Sequence, residues 1–152
     1  MSHGESDLLR KGFESSFTFT RSTGPVVGRF LTGLRHRRIV GIKGSDGRVL
    51  VPPLEYDPLT FEELGEFVEV EQTGTVRTWC WVSQPLEKHL MRRPFAWALV
   101  QLDGSDTPML HMVDAGEESA MSTGMRVKVR WAEETQGSIT DIECFKPVKE
   151  AA

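Results

Sequence analysis

Paired cysteines are missing from this 152-residue chain. Its two, Cys80 and Cys144, have no Cys neighbour at metal-ligand spacing and are too few for a disulfide framework. Long apolar runs are missing as well: nothing approaches the roughly 18 residues that span a bilayer, and the polar start MSHGESDLLRKG lacks the apolar core of a secretory signal. A cytoplasmic chain with no membrane segment is therefore expected. No Ser-x-Gly nucleophile elbow, Gly-rich phosphate loop or paired-carboxylate motif occurs, which leaves an enzyme reading without positive support. Nor is there a basic balance, since the formal net charge is −4, and this argues against a general nucleic-acid binder.

What is present suits one soluble domain, or one domain with an appendage, because 39% hydrophobic and 26% charged residues can build a core with a solvated surface. The charge is unevenly placed. Between Arg21 and Arg48 there are seven basic residues (Arg21, Arg29, Arg35, Arg37, Arg38, Lys43, Arg48) against one acid, Asp46, and the rest of the chain is correspondingly acidic.

Residues 1–24 mix polar and small residues around Phe13, Phe17 and Phe19, as a flexible N-terminal arm would. In 25–34, Val26, Val27, Phe30, Leu31 and Leu34 recur at helical spacing behind Pro25, a residue suited to a first turn, so a short amphipathic helix is expected. Strand patterns alone follow position 65. Residues 66–83 read as one long strand with a bend or bulge at Gly74. The others are 95–103, nearly all apolar, 109–113, 125–131 with Met125, Val127, Val129 and Trp131 alternating against Arg126, Lys128 and Arg130, and 138–145. Residues 114–123 fit an inserted helix or loop between the third and fourth strands. Pattern alone supports a small β-barrel or sandwich.

The segment 33–60, GLRHRRIVGIKGSDGRVLVPPLEYDPLT, has the punctuation of a two-knuckle zinc ribbon without its ligands. Such a ribbon places two Cys-x-x-Cys pairs around a strand and a Pro-Pro turn so that four thiolates meet one ion. Here the four places hold Lys43, Asp46, Asp57 and Thr60, while Gly44, Gly47, Pro52, Pro53 and Pro58 keep the turns. A cation and hard oxygen ligands exclude a thiolate-type zinc site, so no zinc or other cofactor is expected.

With these turns, and with the strand pattern running to Cys144-Phe145-Lys146-Pro147, the chain resembles acyl-CoA-associated OB-fold proteins, in which a rubredoxin-like zinc ribbon precedes a small barrel. The resemblance covers roughly residues 21–147. It implies a mainly β fold: a five-stranded OB-fold barrel (65–147) preceded by a short N-terminal helix and a metal-free zinc-ribbon-like segment (25–64), with a tail at 148–152. It also implies a non-catalytic accessory subunit that docks on a thiolase-like or lipid-transfer-type enzyme, in a thiolase or aldolase complex of lipid or steroid side-chain metabolism, with acyl-CoA as a ligand. Self-association of the isolated chain stays open.

Residue chemistry nominates the contacts. Arg35-His36-Arg37-Arg38 follows the apolar stripe directly, so Arg35, Arg37 and Arg38 are candidates for phosphates and Phe30 and Leu31 for partner or ligand. Trp79 and Trp81 share a parity with Arg77; they face outward toward a partner or CoA adenine, or a bulge turns both into the core. The comb Arg126, Lys128, Arg130 meets phosphate or is the solvated face of its strand. The competing reading is an OB module that binds single-stranded nucleic acid through Trp79, Trp81, Arg77 and that comb. Cys80, with His89 or His111 as base, is the one nucleophile candidate; its mid-strand position between two tryptophans suits an inert packing group instead.

Overall fold

A computed structural model describes residues 11–149. Residues 1–10 of the expected arm and 150–152 of the expected tail lie outside the described residues. From 11 to 23 the chain has no regular structure, and Phe13, Phe17 and Phe19 are all exposed. No helix among the described residues is long and apolar enough to cross a membrane.

Helix α1 (Gly24–Arg35) begins with Pro25 in its first turn, where the missing N–H costs nothing. Val26, Phe30 and Leu34, four residues apart, form its buried face. Its end is a Schellman turn: Arg37 N–H donates to Leu34 O at 2.8 Å and Arg38 N–H to Gly33 O at 2.9 Å. The left-handed position that glycine usually takes is held by Arg37, at φ 56°.

Strands β1 (Ile39–Lys43), β2 (Val49–Leu50) and β3 (Phe67–Val70) make a three-stranded antiparallel sheet in the order β2-β1-β3. Val26 of the helix, Ile42 and Leu50 form a buried cluster with Leu64 and Phe67 against it. Phe30 and Leu34, one and two turns along, belong instead to the main core with Ile39, Val51 and Val70. The helix therefore spans two cores with one stripe, and its apolar face is spent inside the molecule.

Five further strands close a barrel in the order β4-β5-β6-β8-β7: β4 (Thr73–Val82), β5 (Phe95–Leu102), β6 (Met109–Val113), β7 (Arg126–Trp131) and β8 (Ile142–Pro147). All pairs are antiparallel except β6 with β8. This is the strand order of an OB-fold, with a 3-10 turn at Glu118–Ala120 in the expected insertion.

Two expectations change. The long strand over 66–83 is two strands, β3 in the ribbon sheet and β4 in the barrel. Around Glu71 and Gln72 the backbone leaves one sheet for the other, with Glu71 N–H donating to Asp103 O at 3.0 Å and Gln72 O accepting from Val129 N–H at 2.9 Å. The bulge is not at Gly74 but between Val76 and Thr78, where Arg77 is the extra residue. Gly74 answers a different need, because a Cβ there would lie 2.5 Å from Gln101 O. We expect Gly74→Ala to force β4 and β5 apart, costing about 3 kcal/mol, or roughly 10 °C of Tm in a thermal melt. A melt within a degree or two of wild type would contradict that packing.

Candidate functional site

The two knuckle turns are tied by one carboxylate. Asp57 is buried although its neighbours Tyr56, Pro58, Leu59 and Thr60 are exposed. Its Oδ1 accepts from Leu59 N–H at 2.7 Å and Thr60 N–H at 3.2 Å within its own turn. Its Oδ2 reaches the other turn and accepts from Ser45 N–H at 2.6 Å. Backbone bonds from Phe61 N–H to Asp57 O at 2.9 Å and from Asp57 N–H to Glu62 O at 2.8 Å close the loop beneath it. The Ser45, Leu59 and Thr60 amides favour the ionised form and hold the Asp57 pKa down at about 2.

Of the other three positions at zinc-ligand spacing, Lys43 turns away to Glu66 at 3.1 Å and Asp46 pairs with Arg48 at 2.6 Å. Thr60 Oγ1 accepts from Glu62 N–H at 3.4 Å. Only Asp46 and Asp57 converge: a Cβ on Gly44 would lie 3.2 Å from Asp46 Oδ1 and 3.4 Å from Asp57 Oδ2. The four residues thus share the two turns, but no common point for all four side chains. Amide donors address the one carboxylate at the junction, and a cation at position 43 replaces a thiolate, so the residues present do not fit zinc. Among the described residues no group of three or more His, Cys, Asp or Glu is placed to hold a metal ion.

The pinned loop presents an apolar ridge. Leu54, Tyr56, Leu59 and Phe61 are 46%, 54%, 59% and 80% exposed. Phe61 sits at φ 64°, a conformation that a bulky residue adopts only when its surroundings impose it. The exposed acids Glu55, Glu62 and Glu63 rim the ridge. The ridge has no periodic signature over residues 54–61, and its one sequence signal is four large apolar residues among the prolines at 52, 53 and 58.

The nominated residues go elsewhere. Phe30 is buried in the main core and the half-buried Leu31 packs against it, so the helical stripe meets the barrel. The guanidinium groups find partners within the chain: Arg35 donates to Gln136 O at 3.1 Å and Arg37 to Glu133 O at 3.1 Å, both in the loop after β7, while Arg38 turns through Nε to Glu69 at 3.0 Å. Arg38 does share a cleft of about 200 Å³ with Arg29 and His36. The β4 bulge carries Trp79 and Trp81 to the inner side, opposite Ala98 and Ala96, where both are half-buried against the main core. The same inversion exposes Cys80.

Two arms of the comb are paired, Arg126 with Asp103 and Arg130 with Asp114 and Glu143. Arg126 holds the Asp103 carboxyl at about pKa 2. His111 is buried edge-on to Phe145, at 5.6 Å between ring centroids, and its Nδ1 accepts from Met112 N–H at 2.9 Å. Burial pushes its pKa below 6.5, against the Ile139 and Met112 backbone contacts that raise it. Burial also lifts the Cys144 thiol to about 11, which removes it as a thiolate at neutral pH.

A closed five-stranded OB barrel preceded by a helix and a small three-stranded sheet defines the fold class. Residues 67–132, from β3 through β7, match the family model of the ChsH2 C-terminal OB-fold domain, in agreement with the OB barrel seen here. Among solved structures, a DUF35-family protein of unknown function from Sulfolobus solfataricus aligns with a TM-score of 0.56 at 24% identity, over 70% of this chain and 78% of that one. The Ltp2-ChsH2(DUF35) aldolase aligns with a TM-score of 0.59 at 20% identity, over 78% of this chain and 91% of that one. At these identities the likeness is one of fold. Comparison with curated proteins gives no match.

Asp57→Asn places an amide donor among amide donors, and we expect it to lower Tm by roughly 5 °C at pH 7 while a chelator leaves the wild type unchanged. Because the folded pKa of about 2 lies below the ordinary 3.8, the carboxylate's contribution is complete above about pH 4 and is lost as pH falls through 2. The variant's melt should therefore be flatter over that window; equal acid dependence in both proteins would contradict the assignment. For His111 the depressed pKa means stability is full above 6.5 and declines as pH drops below it, since only the unfolded imidazole readily takes the proton. An NMR titration of the ring should read below 6.5, and a value above it would show the imidazole to be stabilised as a cation.

Proposed function

We propose that this chain is a non-catalytic accessory subunit that docks through its ribbon on a thiolase-like or lipid-transfer-type enzyme and helps that enzyme handle acyl-CoA in lipid or steroid side-chain metabolism. The observation that carries the reading is the ridge of Leu54, Tyr56, Leu59 and Phe61, exposed on a loop that Asp57 holds rigid. An apolar ridge costs solvation when free, and a pinned loop loses little entropy on binding, which together suit a preorganised docking element. The acidic rim asks for a partner surface that is apolar at its centre and basic at its edge. The likeness to the Ltp2-ChsH2(DUF35) aldolase supports a partner of the lipid-transfer or aldolase kind.

On this reading the ligand chemistry belongs to the partner. Cys80 has no histidine base at hydrogen-bond distance among the described residues, so on this reading the nucleophile is the other subunit's. Acyl-CoA phosphate would meet this chain at the cleft of Arg29, His36 and Arg38. The nucleic-acid alternative draws less from the geometry, since Trp79 and Trp81 turn inward and carboxylates occupy Arg126 and Arg130.

The test is reconstitution with the thiolase-type or lipid-transfer-type enzyme of the same host. A stoichiometric complex should form, and Phe61→Ala should weaken it by roughly thirtyfold while Tm hardly moves. Failure to form a complex, or a complex indifferent to Phe61→Ala and Leu59→Ser together, would overturn the docking assignment. Salt-sensitive binding of an oligonucleotide with no enzyme bound would favour the alternative.

A further inference from the structure

A second recessed site lies on the outside of the barrel, away from every ribbon residue. The loop between β4 and β5 folds back over the outer surface. His89 Nδ1 accepts from Leu86 N–H at 3.1 Å, and the imidazole ring stands edge-on to Phe95 at 5.4 Å and to Trp97 at 6.4 Å. Beneath the loop Met91, Phe95, Met112 and Cys144 form a small core of their own, separate from the barrel interior. Beside that core opens a cavity of about 400 Å³, within the range that holds small ligands.

The chemistry of this cavity is two-sided. Met91 and Met112 line it with thioether side chains, soft enough to fit chains of different shape, and Leu90, 66% exposed, stands at its edge. Three guanidinium groups, Arg92, Arg93 and Arg130, line the same space, with Glu143 the single acid. Asp114, buried at the back, orients two of them: Arg93 pairs with its Oδ2, and Arg130 reaches the same oxygen at 2.8 Å. Arg130 also binds Glu143 at 2.6 Å. Arg92 donates only to the Glu87 carbonyl.

Positions remain on all three guanidiniums. Among the described residues, Arg93 Nε and Nη1, Arg130 Nη2, and Arg92 Nε and Nη2 have no hydrogen-bond partner. Counting Asp114 and Glu143 against the three arginines leaves one positive charge at the cavity, with Arg93 and Arg130 oriented by the buried Asp114 carboxylate and Arg92 by the Glu87 carbonyl. A fork of preoriented N–H donors beside an apolar floor is what an anionic head on an apolar chain requires.

We propose that this cavity binds a small amphiphilic anion, a carboxylate or phosphate monoester on a short alkyl chain, with the head on Arg92 and Arg93 and the chain along Met91 and Met112. The proposal does not depend on the docking reading, because none of its residues lies in the ribbon. It is also distinct from the Arg29, His36 and Arg38 cleft, which has no methionine floor.

The experiment is an NMR titration of the full chain, following the Met91 and Met112 methyl groups and the Trp97 indole, with octanoate, octyl phosphate, octanol and inorganic phosphate. Both amphiphilic anions should shift the three probes saturably, and the tighter of the two identifies the head group. Octanol and inorganic phosphate should each bind at least about tenfold more weakly, since each lacks one half of the recognised chemistry. Arg92→Gln, which leaves both Asp114 partners in place, should weaken the anions about tenfold without altering octanol. Arg93→Lys, which keeps a cation for Asp114, should weaken octyl phosphate through loss of the fork. Octanol binding as tightly as octanoate, inorganic phosphate binding as tightly as octyl phosphate, shifts confined to other residues, or no shift up to about 10 mM ligand would each overturn the proposal.

Discussion

One buried carboxylate holds the ribbon in shape. Asp57 accepts amide hydrogens from both knuckle turns, and without it residues 43–47 and 57–61 would have only backbone pairing at their flanks to set their separation. A zinc ion in such a ribbon draws four negative ligands to one positive centre. Here the polarity is reversed, with one negative centre drawing three N–H donors. Leu54, Tyr56, Leu59 and Phe61 flank that anchor, since Asp57 is the one buried residue of 54–61.

The ribbon is in turn fixed to the barrel by polar joints on two sides. At one, the β5–β6 turn closes the β2 edge: Asp106 N–H donates to Val49 O at 2.8 Å, and Thr107 Oγ1 accepts from Val51 N–H at 2.8 Å. At the other, the end of α1 meets the loop after β7 through Arg35 and Arg37, with Gln72 donating to Arg37 O at 2.7 Å. The basic stretch 21–48 finds most of its partners inside the chain. Arg29 lies 4.2 Å from the Phe67 ring centroid, and Arg38, Lys43 and Arg48 each hold a carboxylate of the ribbon. The local charge asymmetry is thus largely used in holding the chain's own elements together.

Much of the architecture was legible in the sequence because it rests on period and punctuation. Val26, Phe30 and Leu34 announce the helix, alternation announces β7, and the glycine and proline residues mark the turns around β1 and β2. Parity in β4 was not legible, because one extra residue at Arg77 inverts every side chain after it and nothing local distinguishes a bulge there from one at Gly74. The break between β3 and β4 was hidden for a similar reason: both halves alternate, and only the pairing partners differ. The candidate site was the least legible part. Arg35, Arg37 and Arg38 look like one basic patch in sequence, yet Arg35 and Arg37 bond carbonyls of the loop after β7 while Arg38 turns to Glu69 on β3.

Amide hydrogen exchange at Ser45, Leu59 and Thr60 tests the metal-independent ribbon most directly. In protein prepared and held in chelator, these three amides should be protected together at neutral pH and should lose that protection together in Asp57→Asn. Amides that exchange freely until zinc is added, or that stay protected in the variant, would contradict the role assigned to Asp57.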